Sequence, residues 1–263
     1  MRPLSTFANL SRPFHRLFFQ QISLNSSSSE LQQILNAEPH LLIVLNHGHM
    51  FAPVISLPAL HDILVRYGGG NRRVLTVTLK IYYQLPILKY FTHYLTQSLS
   101  NLNAKELIGK INSNSVDDIL IMPEGEHCGF GNGIALEPFI SPRFAEIAIR
   151  TNTPILLAVH RGTHYWTRHY PALGKYIARL PQGTPWLSER RRALLNKDGM
   201  NLSRLRAGRL KRYPWFIQLH RPTITAAEFD AANPEQQAKI IQQEATVVHQ
   251  KMTAALINLP DPA

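Results

Sequence analysis

LLIVLNH, at residues 41–47, is a run of five apolar residues that ends abruptly in Asn46 and His47. A second run, ILIMPEG at residues 119–125, ends in the same way, with Glu124 after the apolar part. Short apolar runs of this kind are typical of parallel strands that are buried on both faces. Open α/β sheets form their sites beyond the carboxyl ends of such strands, so the two runs predict a base and a carboxylate at one edge of a sheet.

The rest of the chain alternates predicted strands with predicted helices. β-Branched apolar runs indicate the strands, and apolar residues at helical spacing indicate the helices between them. The alternation predicts an α/β fold with a mixed, largely parallel sheet flanked by helices. The predicted strands are Leu41–Leu45, Val74–Val77, Ile119–Met122, Pro154–Val159 and Trp215–Leu219, and the predicted helices are Ile55–Tyr67, Ala104–Asn112, Arg143–Arg150 and Pro234–Leu259.

Length and composition indicate one globular domain. The chain has 263 residues, of which 44% are hydrophobic and 17% are charged, and no Ser/Gly-rich or Pro/Gly-rich linker divides it. We expect a single domain over residues 1–263, with a helical N-terminal segment at 1–38 and an α/β core with a C-terminal helix at 39–263. Cys128 is the one cysteine of the sequence, which excludes a disulfide framework and favours a reducing compartment.

Basic residues are concentrated in one part of the chain. Lys and Arg outnumber Asp and Glu by 28 to 17, for a net charge of +11, and fourteen of the cations lie in residues 160–221. Such a field attracts the phosphates of lipid head groups, of a nucleotide cofactor or of nucleic acid, and charge alone does not choose among them. A solvated basic face is the remaining interpretation.

Contact with a membrane, if it occurs, is expected from one side only. Phe7, Leu10 and Phe14 recur near helical spacing, so residues 1–24 contain a helix that either lies flat on a membrane or packs on the core. We find no secretory signal peptide there. Residues 41–60 approach the length of a membrane span, but their polar residues and prolines favour a strand, a turn and a helix.

Several segments resemble the glycerolipid and lysophospholipid acyltransferase family. Its first motif is Asn-His, four residues, Asp, and its third is Phe-Pro-Glu-Gly-Thr/Ser-Arg. Three further features of the family have similar counterparts in this chain, in the same order. They are a lysine with a later Ile-Pro-Leu segment, a Val-Pro-Ile-Val-Pro-Val strand and a late strand that ends in Gly-Glu-Pro-Ile. The matching segments are NH at 46–47, PEG at 123–125, Lys80 with LPIL at 85–88, TPILLAV at 153–159 and LHRPTI at 219–224.

The resemblance implies transfer of a fatty acyl chain from an acyl-CoA or acyl-carrier-protein thioester, as co-substrate, to a hydroxyl or amine of a lipid-like acceptor, with no further cofactor. It implies a peripheral place on the cytoplasmic face of a membrane, reached through residues 160–221 and, in one interpretation, the N-terminal helix, and no nucleic-acid partner. His47 would be the general base. The expected site residues are His47 and Glu124 as catalytic groups and Asn46, His49, Lys80, Gly125 and His127 as substrate-binding groups.

The chain departs from the family's motifs in the residues that support the base and bind phosphate. Ala52 stands where the family has its aspartate, Glu126-His127 replaces Thr/Ser-Arg, and no basic residue follows Phe139. Three accounts fit these departures. Another carboxylate, Glu124 or Asp62, supports His47 in an active enzyme whose acceptor is not a lysophosphatidate; or His47 acts weakly without such support; or the chain is a catalytically impaired relative that only binds lipid.

Two weaker signals lie near the same motifs. A histidine pair one residue apart at a strand end ligates metal in several hydrolase folds, so a metal-dependent hydrolase is a third interpretation of His47 and His49. Phe51 and Ala52 do not continue that pattern, and no metal is expected. Cys128 carries no sequence signal of activation, so the sequence predicts a bystander.

Overall fold

The computed structural model describes most of the chain. Lys80 and the segment 85–88, both named above, lie outside the described residues. For residues 10–15, 126 and 203 the backbone alone is described. The described residues are 1–49, 52–78, 90, 92–93, 96–98, 100, 102–130, 134–181, 184, 187, 189–204 and 208–262.

Within the described residues, six strands form one mixed sheet, and two more form a separate antiparallel pair. The strands are β1 (Phe19–Leu24), β2 (Leu41–Leu45), β3 (Val74–Thr76), β4 (Asp118–Ile121), β5 (Ile155–His160), β6 (Thr167–Tyr170), β7 (Met200–Ser203) and β8 (Leu210–His220). The large sheet has the order β1-β8-β5-β2-β4-β3. Strands β5, β2, β4 and β3 are parallel, whereas β8 is antiparallel to β5 and parallel to β1. The predicted α/β fold with a largely parallel sheet is confirmed.

Helices cover both faces of this sheet. They are α1 (Leu4–His15), α2 (Ser28–Ala37), α3 (Pro53–Arg66), α4 (Ala104–Asn112), α5 (Arg143–Arg150), α6 (Pro171–Ala178), α7 (Glu189–Asp198), α8 (Ala226–Ala231) and α9 (Pro234–Asn258). The start of α9 follows from local chemistry: Asn233 and Gln236 form a capping box around Pro234 at the first helical position. The four predicted helices are confirmed to within two residues at each end.

The apolar run of β2 is unbroken because its alternate residues face different cores. Leu41, Ile43 and Leu45 belong to the core that contains the buried residues of α3, and Leu42 and Val44 belong to the core formed with α5 and α9. All five side chains are 0% exposed. Burying each contributes about 2 kcal/mol, so a polar residue fits this strand only where it leaves the sheet.

The N-terminal segment, predicted to be helical, contains a strand between two helices. Residues 19–24 form β1, which pairs with β8 at the edge of the sheet. The sequence FQQISL did not predict this strand, because its two glutamines are polar, and they are exposed on the edge of the sheet. Helix α1 packs against α3, with Leu4 and Phe7 buried, which agrees with the interpretation of a helix packed on the core. Among the described residues we find no helix with the length and apolarity that crossing a bilayer requires.

Candidate functional site

The two motifs that decide the fold meet at one edge of the sheet. Val44 of β2 lies opposite Ile121 of β4 on one side and Leu157 of β5 on the other. Because the three strands are parallel, the residues that follow them leave the sheet together. His47 and Glu124 therefore lie side by side, as the sequence predicted.

Asn46 joins the end of β2 to the end of β5. Its side-chain nitrogen donates to the carbonyl oxygen of His160 at 3.0 Å, and its side-chain oxygen accepts from the backbone nitrogen of His160 at 2.8 Å. The Nε2 of His160 in turn donates to the Asn46 carbonyl oxygen at 2.9 Å. These bonds extend the strand pairing by one residue and fix the backbone that carries His47. The predicted contact of Asn46 with substrate stays a prediction.

A backbone carbonyl orients the ring of His47. The Nδ1 atom lies 3.1 Å from the carbonyl oxygen of His49, and a carbonyl only accepts, so Nδ1 carries the proton and Nε2 the lone pair. The turn between the two histidines requires glycine, since Gly48 has a φ of +72° and a Cβ there would lie 2.4 Å from Oγ1 of Thr163. Burial lowers the pKa of His47 to about 4, against the hydrogen bond to His49 that raises it. The imidazole is thus neutral at pH 7.

The other nitrogen of His47 faces a thiol. The Sγ of Cys128 lies 3.6 Å from Nε2, within hydrogen-bonding distance for sulfur. Cys128 is buried in a 3-10 turn, Gly125–Gly129, that follows Glu124. The sequence analysis missed this pair, because 81 residues separate the two side chains and no local pattern connects them. The position of Cys128 inside the matched motif region was the one available hint.

Glu124 accepts hydrogen bonds from two backbone N–H groups and makes none with the imidazole nitrogens of His47. Its Oε1 accepts from the backbone nitrogen of His47 at 2.5 Å, and its Oε2 accepts from that of Glu137 at 2.8 Å. Burial raises the pKa of Glu124 to about 8, although these two N–H groups lower it. Asp62, the other carboxylate expected beside His47, forms an ion pair with Arg66 on α3 at 2.5 Å. Carbonyl and thiol partners thus occupy the places where the sequence suggested a carboxylate.

Gly125 permits the tight turn after Glu124. Its φ is +52°, and a Cβ at this position would lie 2.6 Å from the Cδ1 of Ile140. A larger residue would meet both backbone strain and a clash. Gly125 therefore affects the shape of the site by allowing this backbone turn, and its predicted contact with substrate stays a prediction.

His127 is held by protein groups at both ring nitrogens. Nδ1 lies 2.8 Å from the carbonyl oxygen of Pro138, and Nε2 lies 2.8 Å from a guanidinium nitrogen of Arg190 on α7. A guanidinium only donates, so Nε2 accepts and Nδ1 donates. Arg190 belongs to the basic segment and is exposed. A permanent positive charge thus lies against the turn Gly125–Gly129, and the sequence analysis did not assign Arg190 to the site.

Three further histidines surround the turn after β2. Burial lowers the pKa of His49 to about 4 and that of His160 to about 3, and it also lowers the pKa of His164. The mutual repulsion of the histidines acts in the same direction. Over the described ranges, no group of three or more His, Cys, Asp or Glu side chains has the arrangement of a metal site.

Two cavities lined by described residues do not have His47 in their walls. One, of about 220 Å³, is bounded by Pro138, Phe139 and Pro142 and by Gln242, Ala245, Thr246 and His249 of α9. The other, of about 320 Å³, lies between β8 and the end of α9. Neither supplies a binding volume for the predicted substrates at His47.

Comparisons of the chain with protein-family models, with curated proteins and with solved structures gave no significant match. Function is therefore inferred from the residues and their geometry.

Proposed function

We propose that the protein transfers a fatty acyl chain from an acyl-CoA or acyl-carrier-protein thioester to a hydroxyl or amine of a lipid-like acceptor, with His47 as general base. One observation carries the proposal. The imidazole of His47 is neutral, its Nδ1–H is fixed by the carbonyl of His49, and its Nε2 points to the turn Gly125–Gly129 at the carboxyl edge of the sheet. A base with a fixed tautomer at this position is the core requirement for activating a nucleophile.

The orienting group is weaker here than in a serine-hydrolase triad. A carboxylate both fixes the tautomer and stabilises the imidazolium, and its loss in such a triad lowers turnover by about 10⁴. The carbonyl of His49 fixes the tautomer but brings no net negative charge. We therefore expect slow transfer, with Glu124 acting as a positioning residue that keeps the backbone of His47 in place.

Arg190 and the basic segment supply the anion recognition that the motif lacks. Arg190 is exposed and donates to His127, which leaves its remaining N–H groups to bind phosphate. The phosphates of coenzyme A, of a phospholipid acceptor and of a membrane surface share this chemistry. We include in the proposal a peripheral place on the cytoplasmic face of a membrane, with residues 160–221 toward the lipid.

The test is an assay of the purified protein with labelled acyl-CoA and a panel of lysophospholipids and lipid amines. We expect a labelled product that is lost in the His47→Ala variant. His40→Ala is the matched control, because His40 precedes β2 at the opposite end of the same strand and is only partly buried. Equal product from His47→Ala and from the unchanged protein would rule out the mechanism.

Non-catalytic lipid binding is the second candidate, and Ala52 favours it. Ala52 is buried at the start of α3, so the position of the family's aspartate holds a methyl group. Tight binding of acyl-CoA with no product from any acceptor would support this alternative.

A further inference from the structure

Cys128 and His47 have the geometry of a nucleophile and its base. The Sγ of Cys128 lies 3.6 Å from Nε2 of His47, and Nδ1 of the same ring is held by the carbonyl of His49. A nucleophile within reach of a base, whose other nitrogen is oriented by a third group, is the arrangement that defines covalent catalysis by Cys-His pairs. Cys128 is thus one member of a three-part cluster.

Proton affinity favours the thiol over an acceptor hydroxyl as the first group that His47 deprotonates. Burial lowers the pKa of His47 to about 4, which makes it a weak base. The pKa of a thiol lies about 7 units below that of water, and an alcohol is about as weak an acid as water. In addition, the thiol already lies against Nε2, so an acceptor hydroxyl would first have to displace it.

Glu124 connects the two members of the pair. Its carboxylate accepts from the backbone nitrogen of His47, and its own backbone leads directly into the turn that carries Cys128. The separation of thiol and imidazole is thus set by one buried side chain and by the strand pairing of β2 with β4. His47 is partly exposed, whereas Cys128 is buried.

We propose that Cys128 is the first nucleophile of the reaction and carries the acyl chain as a thioester between donor and acceptor. This inference rests on the proposed function. His47 takes the thiol proton as Sγ attacks the donor carbonyl. The new bond joins Sγ to the acyl carbon, the bond to coenzyme A breaks, and the coenzyme A thiolate takes the proton back from His47. His47 then takes the proton of the acceptor hydroxyl as the acceptor oxygen bonds to the acyl carbon. The thioester bond to Cys128 breaks, and His47 gives this proton to the departing sulfur.

The experiment is to incubate the full chain with palmitoyl-CoA alone and to measure its intact mass. We expect a gain of one palmitoyl group that neutral hydroxylamine removes and that peptide mapping places on Cys128. The gain should be absent in Cys128→Ala and at least tenfold slower in His47→Ala, whereas His40→Ala should behave like the unchanged protein. The dependence on His47 separates enzymatic transfer from spontaneous acylation of a thiol.

Transfer to an acceptor separates failure of this inference from failure of the proposed function. Product formation by Cys128→Ala at the full rate, together with its loss in His47→Ala, would overturn the thioester step and leave the proposed function standing. Labelling of Cys128 without product from any acceptor would leave acylation of Cys128 standing and would contradict the proposed function, because no transfer to an acceptor follows. Cys128→Ser keeps the shape of the side chain, so loss of hydroxylamine-sensitive labelling in a folded Cys128→Ser variant confirms that the sulfur is required.

Discussion

The chemistry of the site is determined by what the imidazole of His47 contacts. A carbonyl oxygen at Nδ1 fixes the tautomer without adding charge, and burial then lowers the pKa of His47 to about 4. General-base catalysis is most efficient when the pKa of the base lies near the working pH. His47 is therefore unprotonated at neutral pH but is a weak base, so it can deprotonate a thiol more readily than an alcohol.

Sequence alone placed His47 and Glu124 at one edge of the sheet but could not assign their partners. Their positions follow from the ends of two apolar runs, which are local features. The contacts of Cys128 with His47 and of Arg190 with His127 join residues 81 and 63 positions apart, and they depend on the path of loops that carry no periodic pattern. The resemblance in motif order pointed to His47, and the fold determines which residues lie beside it.

Glu124→Gln tests whether this residue acts through the backbone. Both side-chain oxygens of Glu124 accept backbone N–H groups, so the amide nitrogen of a glutamine would place a donor against a donor. We expect a loss of about 1–3 kcal/mol in the free energy of unfolding, measured in urea. The exposed Glu235→Gln change should cost about 0.5 kcal/mol or less. A Glu124→Gln variant of full stability but with lost turnover would instead assign the carboxylate a chemical role.

Among the strands and helices, buried elements were predicted from the sequence more accurately than exposed ones. The bounds of β2, α4 and α5 are those expected, because strands buried on both faces and amphipathic helices have strong local signals. Strand β1 was missed because it lies at the edge of the sheet, and the start of β8 was missed because exposed Lys211 and Arg212 interrupt its apolar pattern. Elements that tertiary contacts alone stabilise leave the weakest trace in sequence.

Arg190→Ala tests the contribution of α7 to the site. Removal of a guanidinium that lies 2.8 Å from His127 should raise KM for acyl-CoA several-fold and change kcat little, because in the proposed function the charge binds phosphate and takes no part in proton transfer. The effect should shrink as salt is added, since the side chain is exposed. Arg179→Ala removes an exposed cation of the same basic segment and is the control. An equal rise in KM for both variants would indicate a diffuse field in place of a specific contact.

At the scale of the whole molecule, buried titratable groups couple folding to pH in opposite directions. Glu124 and Glu137, whose pKa values burial raises to about 8 and 7, contribute stability that is lost as the pH rises through those values. His47, His49 and His160, whose pKa values burial lowers, contribute stability that is lost as the pH falls. The two sets oppose each other between about pH 4.5 and 6.5.

A comparison of His160→Asn with the unchanged protein isolates one histidine from this balance. His160 faces His47, His49 and the ring of Tyr213, and its pKa is lowered to about 3, so between about pH 4 and 6 the unfolded chain binds a proton at this position that the folded chain does not. Stability therefore falls with acid, and the slope of unfolding free energy against pH should be smaller in His160→Asn by up to about 1.4 kcal/mol per pH unit. The two glutamates contribute equally to both proteins and cancel in the difference. Urea unfolding at several pH values measures both slopes, His40→Asn serves as the control for a partly buried histidine, and equal slopes for all three proteins would contradict a neutral, buried His160.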